Sequence, residues 1–258
     1  KKAFMSAQIL VDISASSSVD KYSHQQSIFG DNIDLSEIWK LPDVIDWNVR
    51  KRLEKERSTL SFYYSGHPLD QFDSLLKYLN IKDINNINND TDFIFDCVGV
   101  IVQVVERSSR NGRFARILLS NKKSLTEVTI YSDIYNHKKD LLKLGTEVYL
   151  KISVIKNNNT NSFLVKDIYL LEDKINLLIS CFEIVLRKEV NIKLFMNYLK
   201  SNIISKININ RYPLHFIFED NENNLIKVET KQNILSPILF INEIADNEDI
   251  ISITPIIK

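Results

Sequence analysis

The sequence of 258 residues has few glycines and cysteines, and each shortage excludes a class of site. With only five glycines, it contains no Walker loop and no dinucleotide-binding fingerprint, both of which need several closely spaced glycines. Its two cysteines, Cys97 and Cys181, lie far apart in apolar stretches and form no CxxC pair. This pattern predicts neither a disulfide framework nor a cysteine-rich zinc site, and it indicates a reducing, cytoplasmic location.

An excess of one charge and long apolar runs are also missing. Lys plus Arg and Asp plus Glu both number 33, which argues against a globally basic nucleic-acid coat and against an acidic tail. No apolar run approaches the roughly 20 residues that span a bilayer, so no membrane association is predicted. The first residues, 1–4, have neither an initiator Met nor a signal-peptide core, and we expect the sequence to be part of a longer protein.

Catalytic and metal-binding patterns are absent from the sequence as well. A metal site needs several convergent ligands, whereas the four histidines occur singly, at His24, His67, His137 and His215. Two-metal phosphoryl transfer needs clustered acids on rigid strands, and the nearest acids, at 90–92 and 246–249, lie in segments typical of loops. The sequence therefore predicts no catalytic residue, no metal and no cofactor within this chain.

The pattern of apolar residues divides the chain into four segments and predicts a multidomain α+β protein. Residues 1–40 are typical of a helix followed by a polar linker, and residues 41–92 of two helices and an Asn-rich linker. In the second segment Asp46 is the expected N-cap, Gly66 the expected end of the first helix, and Pro68 the start of the next. Residues 93–173 and 174–258 have alternating patterns that indicate strands.

The third segment predicts a five-stranded OB-type β-barrel. Strands are expected at 97–105, 113–120, 127–131, 147–156 and 163–170, with a helix at 132–144 that stops at Gly145. Asn111-Gly112 marks the first hairpin. Five strands in the order β-β-β-α-β-β are typical of this barrel.

Local charge indicates what the barrel could bind. Between residues 101 and 156 there are 11 basic and 5 acidic side chains, a local excess that the neutral total hides. Cations beside aromatic rings are what a groove for single-stranded nucleic acid needs. The candidate binding residues are Arg107, Arg110, Arg113, Phe114, Arg116, Lys122, Lys123 and Tyr131. The alternative is a solvated hairpin whose two aromatic rings belong to the core.

The fourth segment is predicted to be a small C-terminal α+β domain. Strands are expected at 175–186, 214–218, 226–230 and 250–257, with helices at 191–202 and after Ser236-Pro237. From residue 212 to 258 there are 8 acids against 3 bases, which favours contact with protein over contact with nucleic acid.

Three motifs resemble the bacterial DNA polymerase III alpha subunit. The first is Leu41-Pro42-Asp43-Val44 followed by the run at 60–70, LSFYYSGHPLD. The second combines Asn111-Gly112 with the run EVTIY at 127–131. The third is Gln25-x-x-Ile28-Phe29-Gly30, inside a Ser-rich polar stretch that cannot bury two large apolar side chains by itself.

The resemblance implies that this chain is the C-terminal region of that subunit and that it acts in DNA replication. It implies that Gln25, Ile28 and Phe29 bind the sliding clamp, that the OB domain binds single-stranded template, and that residues 174–258 bind the tau subunit of the clamp loader. Members of the family are DNA-directed DNA polymerases, which are nucleotidyltransferases. Their catalytic carboxylates and Mg²⁺ would lie upstream of this chain, so this chain alone is expected to be inactive. His67 lies within the first motif, and we expect its ring to support a helix start.

A second interpretation does not depend on a polymerase. An independent OB-containing protein that binds single-stranded DNA or tRNA would show the same barrel pattern and the same local charge. An open reading frame that continues upstream toward catalytic carboxylates would distinguish the two.

Overall fold

The structure, a computed structural model, describes residues 1–2, 4–7, 11, 43–79, 81–82, 84, 94–110, 112–157, 160–202, 212–219, 224–234 and 236–258. It has two compact units, Lys1–Ser65 and Gly66–Lys258. The domain boundaries predicted from the sequence, at 40/41, 92/93 and 173/174, differ from the boundary between these two units, and they stay predictions. In the described part of the chain, no helix is long and apolar enough to cross a membrane.

Helix α1, Val49–Leu60, dominates the described part of the first unit. Its N-cap is Asn48, whose side chain accepts a hydrogen bond from the backbone N–H of Lys51. The expected cap at Asp46 was therefore two residues too early. The helix ends because Ser61 takes a left-handed conformation with φ 68°, so the expected end at Gly66 was also wrong.

A short helical segment begins the second unit. A 3-10 turn, Pro68–Phe72, continues into helix α2, Asp73–Leu76, as the proline pattern predicted. Leu69, Phe72 and Leu75 are buried.

Five strands then form a closed barrel, which confirms the predicted OB-type architecture. They are β1 (Ile94–Ser109), β2 (Gly112–Ser120), β3 (Leu125–Ile130), β4 (Glu147–Asn157) and β5 (Thr160–Leu170). The order around the barrel is β1-β2-β3-β5-β4, and a parallel pairing of Thr129 with Leu164 closes it. Helix α3, Ser132–Lys138, connects β3 to β4 and continues as a 3-10 turn, Lys139–Leu141.

Alternation along the strands explains why the barrel closes around one apolar core. On β2 the buried residues Ala115, Ile117 and Leu119 alternate with more exposed ones. Gly112 begins β2 with φ 109°, a conformation that only glycine adopts without strain, and this makes the tight β1–β2 hairpin possible.

The chain after the barrel forms a four-stranded sheet with helices. The elements are α4 (Leu171–Leu178), β6 (Ile179–Leu186), α5 (Ile192–Asn202), β7 (Tyr212–Glu219), β8 (Leu225–Ile234), α6 (Pro237–Ile244) and β9 (Ile250–Ile257). The sheet order is β8-β7-β6-β9. Phe240 of α6 packs on Phe182 and Phe195 of α5 on Phe216, so these two helices cover one face of the sheet.

One predicted element of this domain was wrong in part. Residues 175–186 were expected to be a single strand, but the first of them complete helix α4. Leu171 and Ile175 are both fully buried and lie one turn apart on the same helix face. Glu172 and Asp173 in the first turn favour a helix start, and the strand begins only at Ile179.

The segment from Pro68 to Leu79 contacts the last helix and strand. The hydroxyl of Tyr78 donates a hydrogen bond to the carbonyl of Ile253 at 2.8 Å. The side-chain amide of Asn242 donates to the carbonyl of Gln71 at 3.1 Å.

Candidate nucleic-acid interface

The candidate interface lies on the side of β1, β2 and β3 that points away from the barrel core, which we call the outer face. On β2 the buried residue Ala115 points inward, so its neighbour Phe114 points outward. Phe114 is paired in register with Arg107 of β1. Ala115 is paired with Ile130 of β3, which places Tyr131 beside Phe114. The side chains of Arg107, Phe114 and Tyr131 therefore form one row across the three strands.

The two aromatic rings are in contact and partly open to solvent. Their centroids are 6.3 Å apart and their planes are inclined by 49°. Tyr131 is 53% exposed, and Phe114 is half-buried. The interior positions next to them are filled by Ala115 and Ile130. The alternative in which both rings belong to the core therefore does not hold.

Arg116 adds a second cation to the outer face, and Glu127 adds an acid. Arg116 lies two residues beyond Phe114 on β2 and is exposed. Its Nη1 atom is 3.6 Å from Oε1 of Glu127 on β3, and both side chains are about half open to solvent. An exposed pair of this kind contributes only about 0–1 kcal/mol to stability.

The β1–β2 hairpin separates two of the predicted arginines. Arg110 is exposed at the turn. Arg113 is also exposed, but it alternates with Phe114 and so belongs to the opposite side of the strand. The pKa of the buried Tyr135 is raised overall, mainly by a hydrogen bond to Glu106. The positive charge of Arg113, on the same side of the strand, opposes this increase. Arg113 is thus not part of the outer face.

Lys122, in the turn between β2 and β3, is bound to acids of the helical segment. Its Nζ atom lies 2.5 Å from Oδ1 of Asp70 and also contacts the carboxylate of Asp73. Burial alone would raise the pKa of Asp70, but hydrogen bonds from the His67 backbone and from Lys122 lower it. Lys123, next in the chain, is exposed. Lys122 therefore links two elements of the fold, and Lys123 remains open to solvent.

His67 supports the start of the same helical segment, as expected. Its Nδ1 atom accepts a hydrogen bond from the backbone N–H of Leu69 at 3.2 Å, and Asp70 accepts one from the backbone N–H of His67 at 2.6 Å. Its Nε2 atom lies 3.1 Å from the hydroxyl of Ser120 at the end of β2. Burial lowers the pKa of His67, which favours the neutral ring that can accept from Leu69.

Sequence reasoning missed Glu127 as a member of the outer face. The signal was available, because residues 127, 129 and 131 alternate outward along β3 and its extension. The contacts of Lys122 had no signal in the sequence, since Asp70 and Asp73 are about fifty residues away.

Gln25, Ile28 and Phe29 lie outside the residues that the structure describes. Within the described ranges, no group of three or more His, Cys, Asp or Glu side chains converges as a metal site would require.

Two known proteins that are similar in sequence carry the same name. A DNA polymerase III subunit alpha from Aquifex aeolicus is 29% identical over 126 residues, which are 47% of this chain and 11% of that protein. Its counterpart from Buchnera aphidicola (Acyrthosiphon pisum) is 29% identical over 184 residues, 67% of this chain and 15% of that protein. No family model matches the sequence.

Solved structures similar to the chain include a single-stranded DNA binding protein and an OB-fold domain. The mitochondrial single-stranded DNA binding protein Rim1 from S. cerevisiae has a TM-score of 0.28 and 20% identity, covering 31% of this chain and 97% of Rim1. The second OB-fold domain of replication protein A from Methanococcus maripaludis also has a TM-score of 0.28, with 13% identity over 35% of this chain and 94% of that domain.

The chain thus spans only a small part, about one seventh or less, of the length of the relatives it matches in sequence. About half to two thirds of the chain is homologous to a segment of DNA polymerase III subunit alpha.

Proposed function

We propose that this chain binds single-stranded DNA on the outer face of its barrel, as part of a replicative DNA polymerase alpha subunit. The observation that carries the proposal is the row of Arg107, Phe114 and Tyr131 across β1, β2 and the end of β3. The two sequence relatives described above, each named as a DNA polymerase III subunit alpha, support the replication role.

The aromatic rings supply the surface on which bases can stack. Any base can lie on an aromatic face, so this contact requires no particular sequence and contributes about 1–3 kcal/mol per base. Phe114 and Tyr131 suit this role because both are partly open and because backbone pairing fixes their positions. A ring held in place loses little freedom when a base binds to it.

The arginines supply the attraction for the phosphates. On the outer face, Arg107 lies opposite Phe114 on β1 and Arg116 lies two residues beyond Phe114 on β2, while Arg110 is exposed at the adjoining hairpin turn. Positive side chains along a groove track the nucleic-acid backbone, and aromatic side chains hold the bases. OB barrels bind oligonucleotides on the face of their second and third strands and on the loops beside it.

The other partners proposed for the chain follow from the resemblance to the alpha subunit. Gln25, Ile28 and Phe29 would bind the sliding clamp, with the two apolar side chains in a pocket and the amide fixing register. The domain at 174–258 would bind the tau subunit of the clamp loader. Its edge strand β9 carries Ile251, which is 61% exposed, and this gives a partner an apolar contact.

The activity of the whole polymerase would depend on residues outside this chain. Nucleotide transfer requires carboxylates that hold two metal ions, and in the proposed full-length protein these would lie upstream with their Mg²⁺. We therefore expect no primer extension by this chain alone.

An equilibrium titration tests the proposed function. A labelled single strand of about twelve nucleotides, within the usual site size of an OB fold, is titrated with the wild-type chain and with Phe114→Ala. The expected loss on substitution is about 1–3 kcal/mol of binding free energy with little change in melting temperature. The matched control is Tyr198→Ala on α5, which should bind as the wild type does. If the wild-type chain does not bind the single strand, the proposal is overturned.

A further inference from the structure

We infer that strand β8 is a contact surface between two copies of this chain, which pair edge to edge through this strand. β8 stands at one end of the sheet order β8-β7-β6-β9, so in the described part of the chain β7 is its only neighbouring strand. The outer side of an edge strand presents backbone N–H and C=O groups to which another strand can bind. β8 lies outside the barrel, so this pairing does not depend on DNA binding.

The first half of β8 carries exposed apolar side chains on both faces of the sheet. Leu225, Ile226 and Val228 are all exposed, and Leu225 is 75% open to solvent. Val228 is aligned with Phe216 of β7, the ring on which α5 packs, so Val228 lies on the face that α5 covers. Leu225 lies on the opposite face because side chains alternate along a strand. An apolar edge strand left open is a template for pairing with another chain.

A cavity beside β8 shows that α5 does not fill this part of the sheet. Its volume is about 160 Å³, and it lies between Ile192 and Met196 of α5 and Phe218 and Val228 of the sheet. The cavity therefore reaches the edge strand, which leaves Val228 exposed although it lies on the covered face. A second strand paired with β8 would place its own apolar side chains against this part of the sheet.

The charges on β8 favour a second copy of the same strand over an arbitrary strand. Lys227 and Glu229 flank Val228, and both lie on the face opposite to it. When two copies pair antiparallel with Val228 facing Val228, Lys227 of each copy faces Glu229 of the other. Opposite charges in facing positions stabilise a strand pair, whereas like charges destabilise it.

The same charges disfavour the neighbouring registers. A two-fold pair has the same residue of both copies on its axis. With Lys227 or Glu229 on the axis, two like charges face each other. With Leu225 or Ile226 there, neither charge faces an opposite one. Within Leu225–Glu229, where the pairing with β7 is regular, only the register centred on Val228 matches every charge.

Both charges can take part although each has a partner within its own chain. The Nζ atom of Lys227 is 2.6 Å from Oε1 of Glu183 on β6, and about half of the Lys227 side chain is open to solvent. An ammonium group has three donors, so Lys227 can keep Glu183 and also bind Glu229 of the second copy. Glu229 is 74% exposed, with its Oε1 atom 3.6 Å from Nε2 of His215.

Charge reversal in the full chain tests this pairing and includes its own rescue. We expect the wild type to dimerise reversibly at roughly tens to hundreds of micromolar, because one strand pair makes a small, transient interface. Lys227→Glu and Glu229→Lys should each weaken the dimer at least about tenfold, since each replaces two attractive contacts by two repulsive ones. Mixed in equal amounts, the two variants should associate with each other about as tightly as the wild type, because all facing charges are again opposite.

Sedimentation velocity measures these affinities, and melting temperatures show whether the variants are folded. Glu243→Lys, the same reversal at an exposed position of α6, should dimerise as the wild type does. A wild type that stays monomeric over this concentration range, or a dimer that Lys227→Glu leaves intact, would overturn the inference. Either result would leave the proposed DNA binding standing.

A disulfide experiment tests the register and leaves every charge in place. Facing residues of an antiparallel pair have Cα atoms about 4.5–5.5 Å apart, within reach of a disulfide. Val228→Cys should therefore give a covalent dimer under oxidation by diamide. Ile226→Cys should not, because its two copies would be four residues, or about 13 Å, apart. The native Cys97 and Cys181 are buried. Equal cross-linking of the two variants, or none in Val228→Cys, would contradict the proposed register.

Discussion

Arg116 of β2 and Glu127 of β3 are diagonal neighbours across the two strands, with 3.6 Å between the guanidinium nitrogen and the carboxylate oxygen. The pair places an acid in the middle of a surface that the sequence marks as basic. An incoming phosphate must compete with Glu127 for Arg116 and is repelled by the carboxylate. The outer face is therefore less attractive to a strand than its arginines alone would make it.

Removing that carboxylate charge should strengthen DNA binding. For Glu127→Gln we expect about two- to fivefold tighter binding of a single strand at low salt, because a released Arg116 and a lost repulsion are each worth a fraction of 1 kcal/mol at an exposed site. Stability should hardly change. Fluorescence anisotropy at two salt concentrations measures the effect, with Asp140→Asn as the control acid. Weaker binding of Glu127→Gln would show that the carboxylate supports the site.

Lys122 should matter for stability and not for DNA. Its ammonium is already bound to Asp70 and Asp73, so Lys122→Ala should lower the free energy of unfolding by about 0.5–1 kcal/mol and leave the affinity for a single strand within about twofold. Urea unfolding and strand titration together check this. The neighbouring Lys123→Ala is the matched control for stability. A loss of DNA affinity in Lys122→Ala with unchanged stability would contradict the assignment.

The helix cap at His67 should make stability depend on pH. Burial lowers the pKa of His67 in the folded state, so below about pH 6.5 the unfolded chain binds more protons and stability falls as pH falls. His67→Asn keeps an N-cap residue but cannot titrate, so it should lose less stability between pH 7.5 and pH 5.5. Urea unfolding at both values checks this, and His137→Asn should behave as the wild type. Equal losses in wild type and His67→Asn would refute the role.

The proposed clamp contact makes an independent prediction. A short peptide depends on one or two deeply buried anchors, so Ile28→Ala combined with Phe29→Ala should weaken binding to the sliding clamp at least about tenfold. The melting temperature should stay the same. Surface plasmon resonance with immobilised clamp measures the affinity, and Ser27→Ala serves as the control. Unchanged clamp affinity, or a lower melting temperature alone, would show that both side chains pack within the chain and do not bind the clamp.

The sequence allowed the barrel to be predicted because its signals are local. Alternation of apolar residues marks each strand, Asn111-Gly112 marks a hairpin, and the helix between the third and fourth strands sets the order. The second half of helix α4 was mistaken for a strand because its Ile and Leu residues fit either period over so short a run. Packing decided between them, and packing is not visible in a window of eight residues.

The candidate site was predictable only in part for the same reason. Composition indicated a basic, aromatic hairpin, but two facts depend on the three-dimensional arrangement. Arg113 lies on the other side of β2 from Phe114, and Lys122 meets Asp70 and Asp73 from a distant segment. Strand alternation could have separated Arg113 from Phe114. Nothing local could have assigned partners to Lys122.

The salt dependence of strand binding tests the central claim most directly. The slope of log K against log[salt] for a single strand is about −0.7 per phosphate contact. Replacing Arg107, Arg110 and Arg116 together by Ala should therefore flatten the slope by about two. Arg113→Ala, from the opposite side of the same strand, should leave it unchanged. A slope that stays the same in the triple variant, or that flattens with Arg113→Ala instead, would contradict a binding site on the outer face.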